Sequence, residues 1–341
     1  MIQLALIGCG NMAHWHAQQL QKIDRCKVVA LVDPVADQTR QFKEKYFHDA
    51  AQYDSMENLL AVRPGKLDGV VLITPHTLHF SQAKMALENG LHVLVEKPMV
   101  TSSKDAYELW KLIRTSGKKL GITFQSPYTN EFQYLAAERD AGRLGKVQII
   151  SGWLSQNWMK WTKGSWRQDA KMSGGGQMYD SGAHLLNAMM WLMNEPVVEV
   201  ACFYNKVEAP VDINGVAIVR FSGGAIGSIA IGGNCPAFRT EIQIQTDRFL
   251  IVTDQYGGKL EMKMDDRRIY PHVRVDERPS GATPHLNFVN AVLGEEELKV
   301  PVRYGVLLSA LMDALYESAE KQRPVKVEVV PEDLSPGWGG R

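Results

Sequence analysis

Between an apolar run at residues 2–7 and an amphipathic stretch at 12–22, the chain carries Gly8-Cys9-Gly10-Asn11-Met12-Ala13. A GxGxxA turn set between a strand-like and a helix-like segment leaves few folds open, because it is what a parallel βαβ unit needs to receive a pyrophosphate. Gly8 turns the chain tightly, Gly10 lets the backbone approach the phosphates, and small Ala13 lets the helix pack close. Asn11 and Met12 then stand at a helix N-terminus facing the negative charge. A bare glycine turn is the alternative. Asp33 ends the second run, 33 − 10 = 23 residues beyond Gly10, near the ~20 expected of a carboxylate that accepts from the adenosine ribose hydroxyls. This favours NAD, since a 2′-phosphate would be repelled and the next residues are Pro34, Val35 and Ala36. Arg40 leaves NADP open, and a plain turn-forming role for Asp33 ahead of Pro34 is the other reading.

The same alternation fills the first third. Runs rich in β-branched residues at 2–7, 27–32, 69–73, 92–95 and 119–123 are separated by helix-like stretches at 12–22, 35–46, 55–62, 80–89 and 102–116, with Gly90 and Gly117 at expected helix C-caps. This predicts an α/β domain at 1–123 built on a doubly wound parallel sheet. From about 147 the texture changes to runs at 147–152, 197–207, 215–221, 225–232, 241–246, 249–253 and 259–264, broken by Gly, Asp and Pro, with helices expected at 183–193, 286–293 and 305–320. That predicts an α+β domain at 124–330 with a largely antiparallel open sheet, and a short C-terminal tail at 331–341, frayed or docked on a partner.

The 341 residues are 45% hydrophobic and 22% charged, enough apolar surface for two globular cores. Lys+Arg 38 balances Asp+Glu 38, so there is no overall field to hold nucleic acid or an anionic membrane. Cys9, Cys26, Cys202 and Cys235 stand apart, without a CxxC pair or histidines at zinc spacing. They read as reduced thiols, and no metal site is expected. The first apolar run has no basic leader and reaches Gly8 too early for a signal peptide or a membrane span, which points to a cytoplasmic location.

Asp180 and His184 are four apart. If Asp180 opens a helix, both address one substrate hydroxyl: His184 as general base, with an ordinary pKa of about 6.5, and Asp180 orienting the imidazole or binding a neighbouring hydroxyl. An Asp cap followed by a buried histidine is the other reading. Trp153, Trp158, Trp161 and Trp166, four of the eight tryptophans, precede the glycine run 174–176. With Gln156, Asn157, Lys160 and Arg167 they suit the apolar faces and hydroxyl rim of a sugar or cyclitol, Trp158 and Trp161 foremost. Packing against a sheet or a partner is the alternative.

Three later stretches complete the pattern: Thr74-Pro75-His76-Thr77-Leu78-His79 after the third expected strand, Glu96-Lys97-Pro98 after the fourth, and Gly174-Gly175-Gly176-Gln177-Met178-Tyr179-Asp180-Ser181-Gly182-Ala183-His184. Taken in order with the N-terminal turn, they resemble the Gfo/Idh/MocA family of oxidoreductases over nearly the whole chain. The resemblance implies an N-terminal Rossmann domain, a C-terminal open-sheet domain that supplies the substrate pocket and often the oligomer interface, and a nicotinamide lying between them. It makes Lys97 the residue that bonds the reacting oxygen, and it sets Thr74, Pro75, His76 and Glu96 beside the nucleotide. His79 stands near that site or caps a helix, and the Trp166-Arg167 pair brings Arg167 close to the nicotinamide. His76 departs from the pattern, which usually carries Asn there, and His14 and His16 read as helix-packing residues. The expectation is an NAD(P)-dependent dehydrogenase of a sugar, inositol or related polyol, assembled as a homodimer or homotetramer through the C-terminal sheet. A redox-assisted glycosidase that keeps its NAD, and a non-catalytic NAD(P)-binding regulator, are the alternatives.

Overall fold

Six short runs in the first third pair edge to edge as one parallel sheet: β1 (Ile2–Ile7), β2 (Cys26–Val32), β3 (Ala51–Tyr53), β4 (Gly69–Leu72), β5 (His92–Val95) and β6 (Leu120–Ile122), in the order β3-β2-β1-β4-β5-β6. The computed structural model describes residues 1–62, 67–264, 267–269 and 282–328, the stretch 267–269 by its backbone alone. Helices α1 (Asn11–Leu20), α2 (Ala36–Lys45), α3 (Met56–Val62), α4 (His79–Glu88) and α5 (Ser103–Ser116) connect the strands. β1 and β4 are almost wholly buried, as a sheet covered on both faces requires. β3 is the strand that periodicity does not reveal; it is a three-residue, partly exposed edge, so the strands that precede Thr74 and Glu96 are the fourth and fifth. α5 shows both end signals: the Ser102 hydroxyl accepts from the Asp105 N–H, and Gly117 closes the helix at φ 65°.

The chain forms two compact units. One is Met1–Thr123 with Thr283–Val302; the other is Phe124–Ala282 with the chain from Arg303 on. The sequence places 283–302 in the second domain, and the structure corrects this. Helix α10 (Pro284–Val292), capped by Thr283, buries Phe288 and Val289 in the same core as Leu4, Leu6, Ala17 and Leu31. Hydrophobic periodicity marks a helix but carries no information about which sheet it will cover.

In the second unit β7 (Val147–Ser155), β8 (Val197–Asn205), β9 (Asn214–Phe221), β10 (Ile226–Gly232), β11 (Arg239–Thr246), β12 (Leu250–Thr253), β13 (Leu260–Met264), β14 (Arg267–Ile269) and β15 (Val325–Lys326) form one sheet in the order β14-β13-β12-β11-β7-β10-β9-β8-β15. All its pairs are antiparallel except β7 with β10. Helices α6 (Asn130–Asp140), α7 (Trp158–Trp161), α8 (Ala170–Ser173), α9 (Gly182–Met193) and α11 (Val302–Lys321) complete it. α9 lies close on β7 because Gly152 has no side chain: a methyl there would stand 2.5 Å from the Met189 sulfur and 3.1 Å from Leu185. The sequence does not announce α6, whose buried apolar positions, Phe132, Leu135 and Ala136, sit among Glu, Gln and Arg. The tail expected at 331–341 lies outside the described residues. Among the described residues, no helix is long and apolar enough to cross a membrane.

Candidate active site

In the first unit, β1 runs into Gly8 at φ 92°, where a Cβ would stand 2.8 Å from the Ile73 carbonyl oxygen. Only glycine is tolerated there. Gly10 caps α1, and a Cβ on it would meet nothing within 4 Å, so the protein leaves open the space that a phosphate approaching the helix N-terminus requires. The two readings of Asp33 turn out to be compatible. Its Oδ1 accepts from the Val35 N–H and its Oδ2 from the Cys9 N–H, each at 2.9 Å. The half-buried carboxylate is thereby fixed at the end of β2, and each oxygen keeps a second lone pair. Arg40 pairs with Asp37 at 3.0 Å. The Cys9 thiol is pushed up to about 12, first by burial and then by the Asp33 charge, so it stays protonated. All four cysteines are free. Open space, helix N-terminus and ribose-level carboxylate together fit a dinucleotide.

The loop after β5 is held from below. Glu96 is buried: its Oε1 faces His16 Nε2 at 2.9 Å and accepts from the Thr123 hydroxyl at 2.7 Å, and its Oε2 accepts from the Lys97 N–H at 3.1 Å. Burial alone would raise this carboxyl, but the His16 ring, the Lys97 ammonium and the Thr123 hydroxyl more than offset that and hold it well below the usual carboxylate range. The Lys97–Pro98 bond is cis. His79, fully buried, sets Nδ1 2.8 Å from the Pro98 carbonyl oxygen and Nε2 2.9 Å from that of Thr74, and its neutral ring donates to one of these two carbonyls. The Glu96 carboxylate and the His79 ring are thus engaged with protein partners at the end of the parallel sheet. His76 is 3% exposed, and the Thr74 hydroxyl donates to Gln82 Oε1 at 2.6 Å.

Buried neutral imidazoles make this unit acid-sensitive. Burial is the main cause lowering the pKa of His79, of His285, and of His92, which falls to about 4. In the unfolded chain each titrates near ~6.5. With the folded value depressed, stability is intact above ~6.5 and lost as the pH falls below it, since the unfolded chain takes up protons that the native one refuses. The Tm measured by calorimetry should therefore drop steadily from pH 7 to pH 5, and a flat profile would contradict the burial of these rings.

In the second unit, the glycine run is clamped and not loose. Asp212, 2% exposed, accepts from the Gly176 N–H (2.7 Å) and the Tyr316 hydroxyl (2.5 Å) through Oδ1 and from the Met178 N–H (2.8 Å) through Oδ2; its carbonyl accepts from the Gln177 N–H (2.9 Å). A methyl on Gly176 would overlap the Asp212 carbonyl oxygen. Burial first, then the Asp212 charge, pushes the Tyr316 phenol well above its ordinary value, so it remains a donor.

The turn so fixed carries Asp180. It does not open α9, whose N-cap is Ser181, so the helix that carries His184 begins after it. Asp180 sits in the preceding turn, its N–H donating to the Gly176 carbonyl at 3.0 Å. Its Oδ2 accepts from Trp158 Nε1–H at 2.7 Å and pairs with Arg167 Nε at 3.2 Å. His184, half-buried in the first turn of α9, stands edge-on to Phe124 with ring centroids 5.7 Å apart, and lies 5.7 Å from Tyr256. The Tyr256 ring stacks at 6.2 Å on Phe238, which is exposed. Burial, offset in part by Gln255 and reinforced by the Asp180 and Asp254 charges, pushes the Tyr256 phenol up to about 12.

The four tryptophans do not make one surface. Trp158 is 2% exposed against Val211 and Ile213, so its ring faces are closed and it acts by holding Asp180. Trp161 is 63% exposed, Trp153 projects from the outer face of the sheet, and Trp166 lies under the Arg167 guanidinium at 4.5 Å. Gln156, expected on a hydroxyl rim, is an internal brace to Gln177 and Ser181. Sequence reasoning missed Tyr256, Phe238, Asp212, Tyr316 and His285, none of which stands in a motif.

The 3-2-1-4-5-6 strand order with a phosphate cradle defines a dinucleotide-binding protein of the doubly wound class. The chain belongs to the Gfo/Idh/MocA oxidoreductase family: residues 2–124 match the model of the oxidoreductase family with NAD-binding Rossmann fold, and residues 132–252 match the GFO/IDH/MocA C-terminal domain. It is similar to D-glucoside 3-dehydrogenase of Escherichia coli, 29% identical over 58% of this chain and 56% of that one. It also resembles scyllo-inositol 2-dehydrogenase (NAD(+)) of Bacillus subtilis, 24% identical over 69% and 68% of the two chains. The chain thus matches little more than half the length of the first of these relatives. Among solved structures, the WlbA dehydrogenase of Bordetella pertussis in complex with NADH and UDP-GlcNAcA shares the fold, with a TM-score of 0.84 and 24% identity over 96% of this chain and 99% of that one.

Proposed function

We propose that this protein is an NAD(P)-dependent dehydrogenase that oxidises a CH–OH group of a sugar, inositol or related polyol, with NAD preferred. The observation that carries this reading is the place of Lys97: its loop, pinned through Glu96 and His79, stands at the carboxyl end of the same parallel sheet whose Gly8–Gly10 turn forms the phosphate cradle. Asp33 supports NAD, and the glucoside and inositol dehydrogenases among the relatives support the substrate class. A bound nicotinamide supplies the hydride acceptor. Lys97 donates to the substrate oxygen and stabilises the charge that develops there. His184 takes the hydroxyl proton. Asp180, steadied by Trp158 and Arg167, accepts from a neighbouring hydroxyl, and Tyr256 with Phe238 offers the apolar wall that Trp158 does not. The four unpaired thiols suit a reducing cytoplasm.

The test is a screen of purified protein against sugars, inositols and sugar acids with NAD and with NADP, followed by nicotinamide absorbance. Turnover on a polyol is the expected result. Sugar released from a glycoside without stoichiometric NADH, or dinucleotide binding with no turnover on any of these compounds, would replace the reading with a redox-assisted glycosidase or with a regulator. On the substrate found, His184→Gln should lower kcat on the order of a hundredfold, the scale of one general base.

The outer face of the second sheet is assigned to a second copy of the chain. Val216, Ile218, Phe203 and Trp153 are all more than half exposed there, beside a groove of about 490 Å³ lined by Ser151, Ser228, Arg239 and Gln243. The charges nearby are already paired, Arg239 and Lys259 with Glu241, so the face suits a self-complementary, isologous contact. Sedimentation should show a dimer or tetramer that Ile218→Glu converts to monomer; a monomeric wild-type protein would refute the assignment.

A further inference from the structure

His285 reaches the first unit from the far end of the sequence, and what it meets there is His16. Both rings are fully buried, with His16 Nδ1 2.8 Å from His285 Nε2 and His16 Nε2 2.9 Å from Glu96 Oε1. The proton positions follow from counting donors and acceptors. His285 Nδ1 is buried and has no hydrogen-bond partner among the described residues. A proton placed there would be a stranded donor, the costlier of the two ways to leave a nitrogen unmatched. The His285 proton therefore sits on Nε2 and is donated to His16 Nδ1. That makes His16 Nδ1 the acceptor, so the His16 proton is on Nε2 and is donated to Glu96. The carboxylate then accepts three hydrogen bonds, from His16, from the Thr123 hydroxyl and from the Lys97 backbone N–H.

We propose that His285 and His16 are positioning residues that form a directed relay, His285 to His16 to Glu96, keeping Glu96 ionised and aimed so that it anchors the backbone at Lys97. The inference rests on the role assigned to Lys97 above for its catalytic meaning, but its test does not. The relay also accounts for the return of α10 to the first unit: a segment almost 270 residues away from His16 delivers the ring that fixes its tautomer. Each link is local and directional, as in the outer partners that orient metal-binding and catalytic histidines.

The test uses the full chain labelled with ¹⁵N-histidine, with two-bond ¹H–¹⁵N spectra recorded at pH 7.5. The His285 ring should carry its proton on Nε2, and His16 should accept through Nδ1 and donate through Nε2. A His285 proton on Nδ1, or a proton on His16 Nδ1, would overturn the relay. A second readout is hydrogen exchange at the Lys97 amide. His16→Leu should speed it on the order of tenfold to a hundredfold, the scale of losing one hydrogen bond to a charged group. His16→Gln, which keeps a donor towards Glu96, should restore it to within about threefold of wild type on that same scale. Equal exchange in all three proteins would refute the anchoring. Where His16→Leu fails to fold, Thr123→Val removes a different donor from the same oxygen and is read in the same way. Normal turnover by Lys97→Ala would sink the functional reading while leaving these tautomers untouched, so the two failures are distinguishable.

Discussion

Lys97→Ala should lower turnover about a thousandfold, the upper range for removing one preorganised donor to a developing oxyanion, while NADH binding followed by fluorescence stays within a few-fold of wild type. The ammonium belongs to a half-buried residue whose loop cannot drift: Glu96 takes its N–H, and His79 faces the Pro98 carbonyl. A charge held in that way need not reorganise as the alkoxide forms, which is where an electrostatic group gains its effect. Lys97→Arg should rescue little, because a planar guanidinium cannot place one donor where a compact ammonium stood. The cradle at Gly8, Gly10 and Asp33 owes nothing to Lys97, so a loss of NADH binding equal to the loss of turnover would show that the residue holds the nucleotide and does not act on the substrate. Normal turnover would remove Lys97 from the chemistry altogether.

Asp212→Asn should destabilise the protein by about 2 to 4 kcal/mol, although the two side chains have nearly the same shape. Each Asp212 oxygen accepts from at least one N–H, and one of them also accepts from Tyr316. An amide must turn its NH₂ towards a donor on one side, which strands buried polar groups at ~1 to 3 kcal/mol each. Urea unfolding should show a lower midpoint with an unchanged slope. The surviving folded protein should also turn over slowly, because the clamp holds Gly176–Met178 and the Asp180 turn hangs from the Gly176 carbonyl. Tyr316→Phe removes a single donor and should cost only about 1 kcal/mol. Equal stability of Asp212→Asn and wild type would mean that the glycine run is held by something other than this carboxylate.

Much of the first unit was legible. A GxGxxA turn between a strand and a helix, and a carboxylate at the end of the second strand, are local patterns whose physical demands act over a few residues: φ at Gly8, clearance at Gly10, two N–H donors at Asp33. β3 escaped because three residues cannot establish a period. In the second unit the strands were legible by their alternation, whereas α6 was not, because its apolar positions do not gather into one marked stripe. Lys97, Asp180 and His184, on which the proposed function rests, were legible as positions in a motif, but their surroundings were not. Asp180 precedes α9 rather than opening it, because the helix begins at Gly182 behind a Ser181 cap. The reading of Trp158 as a sugar platform failed because its ring faces are buried and only its N–H does work.

The amino-acid order by itself determined the family, the class of both sheets and the chemistry available at each end of the motifs, because these follow from periodicity and from residues close together in the chain. The tertiary structure alone decided that α10 returns to the first core, that His285 meets His16, that Asp212 clamps the glycine run, and that Tyr256, backed by Phe238, stands against His184. Those are pairings between residues from about 35 to 270 positions apart. They are selected by burial and by the need to match buried donors with acceptors, and no local spacing records that selection.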